Sequence, residues 1–187
     1  MEDPLKKAKD GDKAAFETFY NENKRRILNY VYRMVGNLES AEEITQEVFV
    51  KAYFSLSRYI PMEKPLNWIY TIAGNLCKNF LRDNRQRPQV SLDKELARQE
   101  GLTLKDMLSA ETRGPSDLAM GKELTDIMQA HINRLPVAYK EALVLCDIQG
   151  CSYEEAAGIL KCKIGSVASR LHRARLILAK ALQKYFK

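Results

Sequence analysis

Apolar residues recur at helical spacing from Gly11 to about Arg87 and again from about Pro115 to the end, and no alternating stretches flank an Asn-Gly or Asp-Gly turn. That pattern leaves little room for a sheet. Between the two blocks, Pro88, Gly101 and Gly114 stand among polar residues, and the one helix-compatible patch, Leu92 to Leu108, is marginal in isolation. Pro115 suits the first turn of a new helix, where its missing N–H has no helical partner. The expected architecture is all-α: two small helical domains, 1–88 and 115–187, joined by a flexible linker over 89–114, the second with a helix-turn-helix.

Several function classes recede on composition. No run of about 18 apolar residues is present, and Met1 to Gly11 carries Glu2, Asp3, Lys6, Lys7 and Lys9 without a signal-peptide core, so a cytoplasmic protein is expected. Cys77, Cys146, Cys151 and Cys162 lack CxxC pairing and are expected as free thiols. A set of Cys146, Cys151, Cys162 and His172 matches no usual metal-ligand spacing. With no phosphate-cradling glycine loop and no nucleophile with an evident base, neither enzyme activity nor a cofactor or metal is expected. The net charge of +6 is uneven: residues 1–88 hold 15 basic and 12 acidic side chains, residues 89–120 hold 4 and 6, and residues 121–187 hold 11 and 6. Two basic blocks flanking an acidic middle raise the prior for a polyanionic partner.

Within the first domain, projecting Ala41 to Leu56 at 100° per residue gathers Ala41, Ile44, Val48, Phe49, Ala52 and Leu56 on one side. Glu43, Gln46, Glu47 and Val50 fall on the other. That second face reads either as solvated acidic surface or as a docking face for a basic partner helix with Val50 as its apolar centre. From Leu66 to Arg87, Leu66, Ile69, Tyr70, Ala73, Leu76, Cys77 and Phe80 form a core face, with Pro65 at the helix entry. The opposite stripe holds Trp68, Thr71, Asn75, Lys78, Asn79, Arg82 and Arg85. Aromatic planes stack on unpaired bases, amides bond to base edges and cations neutralise phosphates, so the stripe suits single-stranded DNA. An exposed basic helix with Trp68 tucked into the core explains the same letters.

The strongest local signal is Ser152 to Leu182. Ser152 and Glu155 make a capping-box pattern, and Tyr153, Ala156, Ala157 and Leu160 form the inner face of a short helix. A tight turn over Lys161 to Ile164 follows. Ser166 or Gly165 can cap a second helix with core residues Val167, Leu171, Ala174, Leu178 and Ala181 and outward residues Ala168, Ser169, His172, Arg173 and Leu176. Outward residues near its start would meet base edges, with His172 as a DNA-facing donor and Arg173 able to reach guanine bidentately, worth about 1–3 kcal/mol of discrimination. Arg170 and Arg175, on the shoulders, suit phosphates, which set register without reading sequence.

These segments together resemble the extracytoplasmic-function (ECF) sigma factors of bacterial RNA polymerase. The motifs run in order: GDKAAFETFY (Gly11 to Tyr20), YRMVGNLESAEEITQEVFVKAY (Tyr32 to Tyr53), NWIYTIAGNLCKNFLRDNRQR (Asn67 to Arg87), LPVAYKEALVLCDIQGCSYEEAAGIL (Leu135 to Leu160) and GSVASRLHRARLILAKAL (Gly165 to Leu182). The resemblance implies that a region 2 domain binds core polymerase and the minus-ten element and that a region 4 domain reads the minus-thirty-five element. Glu43, Gln46 and Glu47 would grip the beta-prime clamp coiled coil, which favours the docking face. Asn75 would capture a flipped minus-ten base, assisted by Asn79 and nearby cations. The helix starting near Ser166 would read the upstream element, its domain touching the beta flap tip. An anti-sigma factor is implied as a further partner, holding the protein at the membrane where that factor is membrane-bound. The rival is a helix-turn-helix regulator that never joins polymerase, which leaves the first domain's two faces idle.

Departures from the family pattern carry their own expectations. Glu43 stands where Asp is common, and Gly74 stands where Arg is frequent, at a helix-propensity cost of about 1 kcal/mol that would loosen its helix. Ala168 occupies a usual Lys or Arg position, while Lys161 and Lys163 replace the customary Gly and Pro of the turn, restoring phosphate contact.

Overall fold

A computed structural model describes residues 3–61, 64–84 and 125–185. Among them the regular structure is entirely helical. The chain divides into two compact units with the main boundary between Arg85 and Gln86. The expected linker, the expected helix start at Pro115 and Arg85 lie outside the described residues.

The first unit is built on three long helices that pack on one another, α2 (Lys13–Val35), α3 (Leu38–Phe54) and α4 (Pro65–Asp83). Helix α2 starts where Asp12 Oδ1 accepts the Ala15 N–H at 3.0 Å, and ends at Gly36, whose φ of 81° lets its N–H return to the Tyr32 carbonyl. Asn37 then caps α3 through the Ser40 N–H at 2.8 Å, so that the helix begins at Leu38, three residues ahead of Ala41. Ile27, Tyr30, Val31 and Met34 of α2 and Ala41, Val48 and Ala52 of α3 are sealed from solvent, with the Tyr30 and Tyr70 rings 5.0 Å apart between α2 and α4. Leu56, expected at the end of α3, is buried in a separate 3₁₀ turn, Leu56–Arg58.

A six-residue helix, α1 (Pro4–Lys9), precedes the expected onset of helicity at Gly11. Its pattern is too short to show periodicity, and tertiary contacts hold it. Asp3 caps it through Oδ1, Leu5 is fully buried, Tyr59 donates its hydroxyl to Asp3 Oδ2 at 2.7 Å, and Lys9 Nζ donates to the Tyr59 carbonyl at 2.7 Å. Burying one leucine contributes about 1.5–3 kcal/mol, enough to fix so short an element.

In the second unit, a helix over residues 125–133 (α5) leads to α6 (Val137–Leu143), which continues into a wide π-type turn, Val144–Ile148. The turn closes as Gln149 N–H reaches the Val144 carbonyl and Cys151 N–H reaches the Leu145 carbonyl, with Gly150 at φ 73°. Then come α7 (Tyr153–Leu160) and α8 (Ile164–Leu182). One core joins Met128, Ile132, Leu135, Ala142, Leu143, Leu171, Ala174, Leu178 and Leu182. Ala181, expected in that core, is half-buried and Leu182 takes its place, because a 3.6-residue repeat has drifted by the last turn.

All four cysteines are free thiols. Cys77 lies in the buried face of α4 as expected. Burial first, then the neighbouring Asp147 and Cys151, push the Cys146 thiol up to about 12, so it is protonated at neutral pH.

Candidate nucleic-acid and polymerase interfaces

Helix α3 presents the two expected faces. Ala41, Ile44, Val48, Phe49 and Ala52 are buried, while Glu43, Gln46, Glu47 and Val50 are exposed, Val50 by 53 %. The apolar line continues beyond Val50: Phe54, one turn on, is 79 % exposed, and the Tyr53 ring links it to Phe16 of α2 at 5.8 and 5.2 Å. Glu47 is ion-paired with Lys51 at 2.7 Å, so Glu43 carries more of the face's net negative charge.

Helix α4 starts with Pro65 in its first turn and runs unbroken through Gly74, which is buried. The flanking Ile69, Tyr70, Ala73 and Cys77 anchor the helix in the core on both sides of Gly74. Asn75, Lys78, Asn79 and Arg82 are exposed along one stripe. Two expected members differ. The indole of Trp68 is half-buried and packs on Tyr59, with centroids 4.9 Å apart and planes at 54°, so that part of its surface faces protein. Thr71 is half-buried and its Oγ1 donates to the Asn67 carbonyl at 3.1 Å, the usual back-bond of a helical threonine. Arg82 Nε bonds to Asp83 Oδ1 at 3.0 Å on the open surface.

The helix-turn-helix is formed by α7 and α8. Ser152 and Glu155 close a reciprocal capping box, the Ser152 N–H donating to Glu155 Oε2 at 2.8 Å and the Glu155 N–H to Ser152 Oγ at 3.2 Å. Ala156 and Ala157 are buried and Leu160 half-buried, whereas Tyr153, expected inside, is exposed. Helix α8 begins earlier than expected. Lys163 is its N-cap, and Ser166 sits inside the first turn with its N–H on the Lys163 carbonyl at 2.9 Å, so neither Ser166 nor Gly165 caps the helix.

Lys161 adopts φ 50°, a left-handed conformation that costs a side-chain-bearing residue roughly 1–2 kcal/mol. Gly removes that cost, so Lys161→Gly is expected to raise stability by about 1 kcal/mol in urea unfolding. An unchanged midpoint would show that the turn is not strained there.

Val167, Leu171, Ala174 and Leu178 bury the inner face of α8, and Ser169, His172 and Arg173 are exposed on the other, beside exposed Lys161 and Lys163. Three arginines make side-chain contacts within the unit. Arg175, expected at phosphate, forms a two-point bond to Asp147, Nη2 to Oδ1 at 2.6 Å and Nε to Oδ2 at 3.0 Å. That hydrogen-bonded carboxylate, outweighing desolvation, holds the guanidinium pKa above its ordinary value. Arg170 is half-buried with Nη1 3.8 Å from Cys162 Sγ. Arg173 Nη1 donates to the Tyr139 hydroxyl at 3.0 Å. Neither Asp147 nor Tyr139 is among the expected residues: each lies about thirty positions from its arginine, beyond any local spacing rule.

The family model for Sigma-70 region 2 matches residues 19–87, and that for Sigma-70 region 4 matches residues 125–178. The chain is also 36% identical over 179 residues to the ECF RNA polymerase sigma factor SigW of Bacillus subtilis, covering 96% of this chain and 95% of the relative. The chain belongs to the ECF sigma factor family. It is 30% identical to the RNA polymerase sigma-H factor of Pseudomonas aeruginosa (96% of this chain, 92% of the relative). With the ECF RNA polymerase sigma-E factor of Escherichia coli K12 the figure is 32%, over 91% and 88%. In fold it resembles CnrH, solved in complex with the cytosolic domain of CnrY (TM-score 0.67, 20% identity, covering 97% of this chain and 96% of that one). As a sigma factor it is a transcription initiation factor that directs RNA polymerase to promoters. No helix among its described residues is long and apolar enough to cross a membrane.

Proposed function

We propose that this sigma factor binds core RNA polymerase through the α3 face of Glu43, Gln46, Glu47 and Val50, which meets the beta-prime clamp coiled coil. Its region 2 domain, 1–88, then holds melted minus-ten DNA along α4, and its region 4 domain, 115–187, reads the minus-thirty-five element with α8 and touches the beta flap tip. The observation that carries the reading is the separation of faces on α4. The side that holds Ile69, Tyr70, Ala73 and Cys77 is sealed, while Asn75, Lys78, Asn79 and Arg82 line the surface, where amides reach base edges and cations reach phosphates. No ATP is needed, because binding the unpaired strand more tightly than the duplex shifts the melting equilibrium.

Within the stripe, Asn75 is assigned the flipped base, with Asn79, Lys78 and Arg82 in support. Trp68 and Thr71 act mainly by fixing the start of α4. On the upstream side, Ser169, His172 and Arg173 face base edges, and Lys161, Lys163 and Arg170 face phosphates. Ser166 and Arg175 are assigned supporting places in the first turn and on the Asp147 side of α8. The relatives' solved complexes add a partner. CnrH was captured with the cytosolic domain of CnrY, and a Bartonella quintana sigma factor, RpoE, with the anti-sigma factor NepR. An anti-sigma factor that masks these faces is accordingly part of the proposal. The protein would act in the cytoplasm, or wait at the membrane if that factor is anchored there.

Transcription in vitro tests the whole: core polymerase on genomic fragments, with and without the protein, followed by sequencing of RNA 5′ ends. Discrete new start sites sharing two upstream elements are expected. Sequence-specific DNA binding with no added initiation by a competent core enzyme would leave a regulator instead. Within that assay, Asn75→Ala should leave polymerase binding unchanged and lower open-complex formation about tenfold, the loss of roughly one stacked or hydrogen-bonded base. Permanganate reactivity at the start site equal to wild type would remove Asn75 from the role.

A further inference from the structure

We propose that Tyr139 is a positioning residue that sets the base preference of Arg173. The inference rests on the reading of α8 as the upstream recognition helix and adds a residue from outside the helix-turn-helix. Arg173 stands exposed on the outward face of α8, where a long side chain ordinarily samples many rotamers. Here its Nη1 donates to the Tyr139 hydroxyl at 3.0 Å. Tyr139 lies in the first turn of α6, half-buried, its ring packed against the core that also holds Leu143, Leu171 and Ala174.

A rigid aromatic anchored in the core therefore presents a phenol oxygen at a fixed point beside α8, and the planar guanidinium is tied to it at one corner. A fork held in this way loses less freedom on docking and is confined to fewer orientations, which are the conditions for bidentate reading of guanine. The same core contains Leu171, two residues before Arg173, so ring and backbone share one support. Arg175, two residues beyond, is itself bound at two points to Asp147 in the π-type turn that follows α6, which ties this part of α8 to that turn.

Tyr139→Phe keeps the ring in the core and deletes the tether. The full chain, assembled with core polymerase, would be assayed on a promoter mapped by the transcription experiment and varied one base pair at a time across its upstream element. Arg173→Ala is expected to flatten the preference at one guanine. Tyr139→Phe is expected to weaken binding to the unvaried promoter five- to tenfold and to reduce preference at that same position only. It should do nothing further on the Arg173→Ala background, and should leave the melting temperature and salt slope as in wild type. If Arg173→Ala alters no position, the base-reading assignment of Arg173 falls and the Tyr139 role with it. If Arg173→Ala flattens one position but Tyr139→Phe leaves it intact, or weakens all sequences equally on either background, the positioning role alone is overturned.

Discussion

Alanine at Glu43, Gln46 and Glu47 together is expected to weaken core polymerase binding by at least about 100-fold, some 3 kcal/mol, without unfolding the protein. The expectation combines two features of α3. All three side chains project from the exposed side of a helix whose other side, through Ala41, Val48 and Ala52, is fully sealed, so their truncation costs the fold no more than about 0.5 kcal/mol. They also surround Val50, 53 % exposed, and lead into the exposed ring of Phe54, a polar rim around an apolar centre of the kind that binding energy concentrates on. Glu47 should contribute least of the three, since its charge is already shared with Lys51 at 2.7 Å. Anisotropy titration of labelled protein with core enzyme checks the result, with far-UV circular dichroism as the control for folding. Affinity within tenfold of wild type would sink the docking assignment and favour a regulator that acts without polymerase.

Asp147→Ala is expected to destabilise the second unit by about 3 kcal/mol and, as a consequence, to abolish reading of the upstream element. The Asp147 side chain is only 7% exposed and Arg175 26%, and they meet through two hydrogen bonds. Removing the carboxylate leaves a largely desolvated guanidinium without its counter-charge, the costly way to break such a pair. The exposed Glu47–Lys51 pair makes the contrast: Lys51→Ala should shift stability by less than about 0.5 kcal/mol, because solvent already screens both charges. The chain's one tryptophan, Trp68, belongs to the first unit, which allows the effect to be located. In urea, helical signal should be lost early in Asp147→Ala while Trp68 fluorescence keeps its wild-type midpoint. A midpoint shift in the tryptophan signal, or none in either, would contradict the assignment of this pair to the second unit's stability.

Much of the fold is legible in the residues because helix formation with a buried stripe is a local matter. The spacing of Ala41, Ile44, Val48, Phe49 and Ala52 fixes which side of α3 is sealed, and so also that Glu43, Gln46, Glu47 and Val50 face out. The capping box at Ser152 and Glu155 is equally local, four consecutive residues closing on themselves. Cap placement at α8 was less legible: Ser166 has the better capping side chain, yet the helix starts at Ile164, where the left-handed Lys161 and extended Lys163 turn the chain. Side-chain preference at a cap is worth about 1 kcal/mol, and the packing of Val167 and Leu171 outweighs it.

What the sequence determined by itself is therefore the helical class, the two-block organisation, the sidedness of α3 and α4, and a basic helix-turn-helix. All of these follow from periodicity, charge and short-range hydrogen bonding. What only the tertiary structure decided is which polar side chains remain available at those faces. Trp68 packs on Tyr59, Arg175 is bound by Asp147, Arg173 donates to the Tyr139 hydroxyl, and α1 exists because Asp3 and Leu5 meet Tyr59 and the core. Each contact joins residues from different elements, brought together only when the helices pack, a property that no window of sequence contains.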